Sequence, residues 1–174
     1  MTMRKLLPTL VAVAACGGAP PAPDSTAVGV DSRTVFTEPS AAIDPAWGRI
    51  LGVGAGMPRE SLVALLGTPL RERVDPTDST GSLFLEFPPG TIRWSPSTGV
   101  SGFLCGGDEC RTAEGVGIGD STDVLLAAYG PTPPRGAPDA PDAFDYRIGV
   151  GGCNLTFTLA SGRVTSIGLA CVDQ

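Results

Sequence analysis

The sequence predicts an α+β fold of two tandem helix-plus-three-strand units, which form an antiparallel sheet with helices on one face. Three observations predict it. A sixteen-residue segment occurs twice, each copy has apolar residues at helical spacing that end at a glycine, and runs of alternating apolar residues follow. The predicted units are residues 47–110 and residues 111–174.

The repeat aligns residues 52–67 with residues 115–130 at an offset of 63, and seven of the sixteen positions are identical. The same offset places residues 91–94 on residues 154–157. Similarity at a fixed offset indicates a duplicated unit.

Each copy predicts one short helix. The apolar residues that share a helical face are Leu62, Leu65 and Leu66 in the first copy, and Leu125 and Tyr129 in the second. Pro58 suits the first helical turn, and Asp120 suits the N-cap of the second helix. Gly67 and Gly130 are expected to end the helices as left-handed caps.

The glycines that precede these helices also occur in phosphate-binding loops. The dinucleotide-binding pattern needs a third glycine where this chain has Arg59 and Thr122, and a P-loop needs a lysine, whereas the only lysine is Lys5. We therefore interpret these glycines as turn residues.

Three strands are predicted in each unit, at residues 83–87, 91–94 and 100–105, and at residues 144–150, 153–159 and 164–171. In the last hairpin, a three-residue turn at residues 161–163 would place Leu155 opposite Leu169 and Phe157 opposite Ile167 on the core face. The same register places Cys153 opposite Cys171.

Five cysteines occur in the chain, and four remain if Cys16 is lipidated. The register favours a Cys153–Cys171 disulfide, which leaves Cys105 to pair with Cys110 across a glycine-containing loop. Metal binding by Cys105 and Cys110 and free thiols are the alternatives, but a metal site would need ligands that a chain without histidine lacks.

The first fifteen residues resemble a bacterial lipoprotein signal peptide. Arg4 and Lys5 precede an apolar run of about ten residues, too short to span a bilayer. Val13-Ala14-Ala15-Cys16 is similar to a lipobox, which implies diacylglycerol and further acyl chains on Cys16. An ordinary secretory signal is the alternative. Residues 16–46 are rich in Pro, Ala and Ser and predict a tether.

Composition limits the chemistry and the partners. The chain has no histidine, which excludes Ser-His and Cys-His catalysis. Removal of residues 1–15 leaves 10 arginines against 18 carboxylates, an acidic balance that does not suit nucleic acid. We expect no cofactor and no metal.

Carboxylate pairs are the remaining candidates for catalysis, and a glycosidase needs only two. The suggestive spacings are Asp75 and Asp78, Asp120 and Asp123, and the group Asp139, Asp142 and Asp145. These acids are also typical of turns, a helix cap and a proline-rich loop, so we expect no enzyme. The loop at residues 131–143 is either a contact surface or a tolerated linker.

The tandem arrangement resembles the β-lactamase-inhibitory-protein-like modules and the small lipoproteins of outer-membrane assembly. Residues 117–130 and 155–167 carry the resemblance, which extends over about residues 49–174. It implies helices packed on one sheet face and an opposite face able to dock a protein. No inhibitory or assembly residue has a counterpart here.

Together these observations predict a cell-envelope lipoprotein with a duplicated protein-binding or structural module. A periplasmic enzyme inhibitor or a small-ligand-binding lipoprotein is the alternative. The expected partners are a membrane, through the lipid on Cys16, and an envelope protein. Gly17, where some bacteria place an inner-membrane retention aspartate, favours the outer membrane.

Overall fold

Eight antiparallel strands form one sheet, and two short helices accompany it in the computed structural model, which describes residues 42–137, 140–149 and 152–172. In chain order the elements are α1 (Arg59–Leu66), β1 (Arg71–Val74), β2 (Leu83–Phe87), β3 (Gly90–Ser95), β4 (Gly99–Cys105), α2 (Thr122–Tyr129), β5 (Pro134–Ala137), β6 (Ala140–Ile148), β7 (Cys153–Ala160) and β8 (Arg163–Cys171). The strand order across the sheet is β1-β2-β3-β4-β8-β7-β6-β5.

The predicted fold class is wrong. The part of the chain that the structure describes is mostly β, and it forms one continuous sheet with four strands in each half, not two helix-plus-three-strand units. The two unpredicted strands, β1 and β5, are the edges of the sheet. Every residue of β1 is exposed, so it lacks alternation, and β5 contains Pro134 and Gly136, which disfavour inner strands. The loop predicted at residues 131–143 therefore includes β5 and the beginning of β6.

The two halves repeat at the predicted offset. The helices begin at Arg59 and Thr122, the edge strands begin at Arg71 and Pro134, and β3 and β7 begin at Gly90 and Cys153. All three pairs differ by 63 residues, which agrees with an internal duplication. The halves meet at a central seam, where β4 pairs with β8.

The predicted register of the last hairpin is confirmed. Leu155 lies opposite Leu169, Phe157 opposite Ile167, and Cys153 opposite Cys171. The turn itself is shorter than predicted, because Ser161 and Gly162 both have positive φ and form a two-residue connection. A bulge between Thr158 and Leu159 supplies the extra residue that preserves the register.

The helix ends differ from the predictions in detail. Ser121, not Asp120, is the N-cap of α2, and its hydroxyl accepts from the Val124 amide. Gly67 and Gly130 do end the helices at positive φ, but ψ is −166° and 171°, so neither is a left-handed α cap. This extended region at positive φ is open essentially only to glycine.

One face of the sheet is buried beneath the helices. Leu62 and Leu125 are fully buried and belong to the same apolar cluster as Leu85, Ile92 and Phe103. Ile43, inside the predicted tether, is also buried and forms a parallel bridge with Ile148.

Tyr129, Tyr146 and Phe157 form an aromatic cluster in the second half, with ring centroids 5.2–6.0 Å apart. The Tyr129 hydroxyl donates to the Trp47 carbonyl, and the Tyr146 hydroxyl donates to the Gly130 carbonyl. Burial raises the pKa of both tyrosines to about 12. Both phenols therefore act as neutral donors that fix neighbouring backbone.

Candidate functional site

The four described cysteines form two disulfides. Cys105 is bonded to Cys110, and Cys153 to Cys171, with Cα atoms 5.8 Å and 4.0 Å apart. The prediction of two disulfides is confirmed. Cys16 lies outside the described residues.

Asp75 and Asp78 are two predicted acids that the structure brings together on one arginine. The Arg93 guanidinium pairs with both, at 2.8 Å and 3.0 Å, and also donates to the Ser101 hydroxyl.

A hydrogen bond from the Thr77 hydroxyl, aided by Arg93 and the Thr77 amide, lowers the pKa of Asp75. The Ser82 hydroxyl, together with the Thr80 hydroxyl and amide, lowers the pKa of Asp78 to about 2. Neither carboxyl is therefore suited to act as a general acid at neutral pH.

The other predicted acids are also held in local structure or are exposed. Asp120 accepts from the Gly117 amide at 2.8 Å, and Asp123 is exposed in the first turn of α2. Asp145 pairs with Arg135 at 2.7 Å. Asp142 is exposed, and Asp139 lies outside the described residues.

Within the described residues, no group of three or more His, Cys, Asp or Glu side chains is placed to hold a metal ion. No helix in the same part of the chain is long and apolar enough to cross a membrane.

The second face of the sheet is left uncovered by the helices. Because neighbouring strands pair residue for residue, two rows of side chains cross this face. One row is Arg71, Glu86, Thr91, Leu104, Gly168, Thr156 and Asp145. The other row is Arg73, Phe84, Arg93, Gly102, Ala170, Asn154 and Arg147. We call this surface the open face, and all of these residues are partly or fully exposed.

A shallow groove of about 600 Å³ crosses the open face over five strands, from β1 to β8. Its floor is low because Gly102, Gly168 and Ala170 lie together at the seam between β4 and β8. Phe84 and Leu104 line it, and the Leu104 side chain is 60% exposed. We call this feature the seam groove.

The backbone does not require glycine in the floor. An added Cβ at Gly102 or Gly168 would meet its nearest neighbours at 3.5 Å and 3.9 Å, which is ordinary contact, and neither glycine has positive φ. A methyl group would therefore fit the fold and partly fill the seam groove.

Two arginines border the seam groove, and both form ion pairs within the protein. The Arg73 guanidinium lies 5.7 Å from the centre of the Phe84 ring and pairs with Glu86 at 3.0 Å. Arg93 is held by Asp75 and Asp78. The groove consequently offers an apolar, small-residue surface with an arginine border.

A scan of known protein families finds no match, and a search of curated proteins finds none either. Two solved structures are similar over part of the chain. A DUF4309 family protein, YjgB, from Bacillus subtilis is 15% identical, with a TM-score of 0.35, and the match covers 66% of this chain and 78% of that one. An extracellular protein containing an SCP domain, from Bacillus anthracis, is 10% identical with a TM-score of 0.38. That match covers 67% of this chain and 43% of the other.

The residues of the open face were not identified as a site from the sequence. Their signal is the alternation in β2, where Phe84 and Glu86 alternate with buried Leu85 and Phe87. The depression itself depends on Gly102 and Gly168 becoming neighbours of Ala170 and Leu104 across the seam, which follows only from the strand order.

Proposed function

We propose that this chain is a lipid-anchored cell-envelope protein whose open face binds a protein partner. The observation that carries the proposal is the seam groove, an apolar depression at the centre of a sheet face that the helices leave uncovered. Exposed Leu104 beside a floor of small residues gives a partner side chain apolar surface to bury.

The shape of the groove favours a protein over a small molecule. Sites for small ligands usually enclose most of the ligand surface. The seam groove is shallow and extends over five strands, so a small molecule in it would remain largely in water. A protein partner needs no such enclosure, because standard interfaces bury roughly 800 Å² on each side.

The anchor is supported by the sequence and is compatible with the described cysteines. Residues 13–16 are similar to a lipobox and residues 16–46 to a tether. Both described disulfides suit an oxidising compartment such as a cell envelope. The proposal includes no catalytic step, because Asp75, Asp78 and Asp145 are held in ion pairs.

Site-specific photocrosslinking tests the docking face. A benzoylphenylalanine at Ala170, in the groove floor, should crosslink a defined protein in the intact envelope. The matched substitution at Ala127, which is exposed on α2, should not. Crosslinking of the same protein from both positions, or from Ala127 alone, would contradict the proposed face.

Lipid labelling tests the anchor separately. Cells that express the chain should incorporate radiolabelled palmitate into it, and Cys16→Ala should abolish both labelling and membrane association. Unchanged processing and membrane association of Cys16→Ala would refute the lipid anchor but leave the docking face intact.

A further inference from the structure

Arginines and carboxylates are distributed unequally between the open face and the rest of the protein. Five of the nine described arginines lie on or beside the open face, namely Arg71, Arg73, Arg93 and Arg147 on it and Arg135 in the adjoining strand β5. Nine of the thirteen described carboxylates lie elsewhere, at Asp44, Glu60, Glu72, Asp108, Glu109, Glu114, Asp120, Asp123 and Asp142. The open face is therefore the more basic side of an acidic chain.

The carboxylates on and beside the open face are all engaged. Glu86 pairs with Arg73, Asp145 pairs with Arg135, and Arg93 holds both Asp75 and Asp78. The three arginines offset three of the four carboxylates, which leaves one net negative charge at the Asp75–Arg93–Asp78 cluster.

Arg71 and Arg147 are different. Both are exposed, and neither forms an ion pair with any residue that the structure describes. Arg71 lies in β1 and Arg147 in β6, with five strands between them. At about 4.8 Å per strand, the two positions are about 29 Å apart on opposite sides of the seam groove.

The distance between Arg71 and Arg147 limits the size of a partner that contacts both. A small anion reaches one arginine only, whereas an extended chain that rises about 3.3 Å per residue covers the distance with about nine residues. We propose that the open face binds an acidic protein segment, with carboxylates that reach Arg71 and Arg147 and an apolar side chain between them in the seam groove. This inference rests on the proposed function and names the chemistry of its partner.

The inference is tested with a nine-residue probe peptide of sequence Glu-Glu-Ser-Leu-Trp-Leu-Ser-Glu-Glu, titrated into the isotope-labelled chain while amide shifts are recorded. Saturable changes in amide chemical shift should centre on Leu104 and Ala170. The affinity that they report should fall as the NaCl concentration is raised. A peptide with lysine in place of each glutamate should bind at least 10-fold more weakly. Equal binding of the two peptides, shifts confined to α1 and α2, or no binding at all would each overturn the inference.

A charge-reversal pair separates this inference from the proposed function. Arg71→Glu with Arg147→Glu should weaken the acidic probe at least 10-fold, and Arg71→Lys with Arg147→Lys should retain it. Both positions are exposed, so neither pair should disturb the core. The same pairs are then combined with the crosslinker at Ala170. If the variant with Arg71→Glu and Arg147→Glu still crosslinks the same protein from Ala170, the inference of an acidic partner is overturned and the proposed function stands. If the chain with both arginines intact crosslinks no protein from Ala170, the proposed function is overturned.

Discussion

Gly67 and Gly130 each end a helix with a backbone conformation that other residues rarely adopt. Both have φ near +80° with an extended ψ, and an added Cβ would meet no atom within 4 Å at either position. The requirement for glycine therefore comes from the backbone alone and not from crowding. The sequence predicted a glycine end at both positions, but it could not distinguish this conformation from the left-handed α region, since both suit glycine.

Gly130→Ala should lower the free energy of unfolding by about 1–3 kcal/mol, because alanine must adopt a strained φ. Urea denaturation measures the change. Gly106→Ala is the matched control, since Gly106 has equal open space for a Cβ and no positive φ. Equal unfolding free energies for the two variants would contradict this account of the cap.

The inner strands were predictable from the sequence, and the edge strands were not. Strands β7 and β8 alternate clearly because one face is buried, and their register followed from that pattern. Strand β1 has no buried residue, so its identity depends on pairing with β2 and on its ion pairs. The open face was predictable only as a consequence of the resemblance, because its groove is assembled across the seam from residues far apart in the chain.

The Asp75–Arg93–Asp78 cluster links the β1–β2 connection to strand β3, and its stability should depend on acid pH. The pKa of Asp78 is lowered from 3.8 to about 2 in the fold. The unfolded chain therefore binds protons first as pH falls, and the stabilisation present above about pH 4 is lost toward pH 2. The stability difference between the unmodified chain and Asp78→Asn should be constant near neutral pH and shrink over this range.

Urea unfolding at a series of pH values measures this difference. Asp108→Asn is the control, because Asp108 lies in an exposed turn outside the cluster. A difference for Asp78→Asn that stays constant from pH 6 to pH 2 would show that Ser82, Thr80 and Arg93 do not together stabilise the ionised form of Asp78 in the native state.

Across the described sheet, the central strands pair with a neighbour on both sides, whereas the two edge strands pair on one side only. Strands β4 and β8 pair on both sides and contain buried Phe103, Ile167 and Leu169. Strand β1 pairs on one side only and is exposed along its length, and β5 pairs on one side only. Local unfolding should therefore begin at the edge strands β1 and β5 and reach the central strands β4 and β8 last.

Amide hydrogen exchange should show this gradient. The slowest amides are expected in β4 and β8, with exchange that requires global unfolding, and the fastest strand amides in β1 and β5. Mass spectrometry of peptic fragments, or NMR, resolves these segments. Protection of β1 equal to that of β8 would contradict the gradient.

The strand order has a consequence for how the chain is made. Strand β8 is the last of the eight strands in chain order, yet it lies at the centre of the sheet between β4 and β7. A growing chain that has emerged only as far as β7 has no neighbour for β4 on its inner side, so its two halves cannot pair with each other until β8 appears. The first four strands can pair among themselves earlier, but the continuous eight-stranded sheet depends on the last strand to be made.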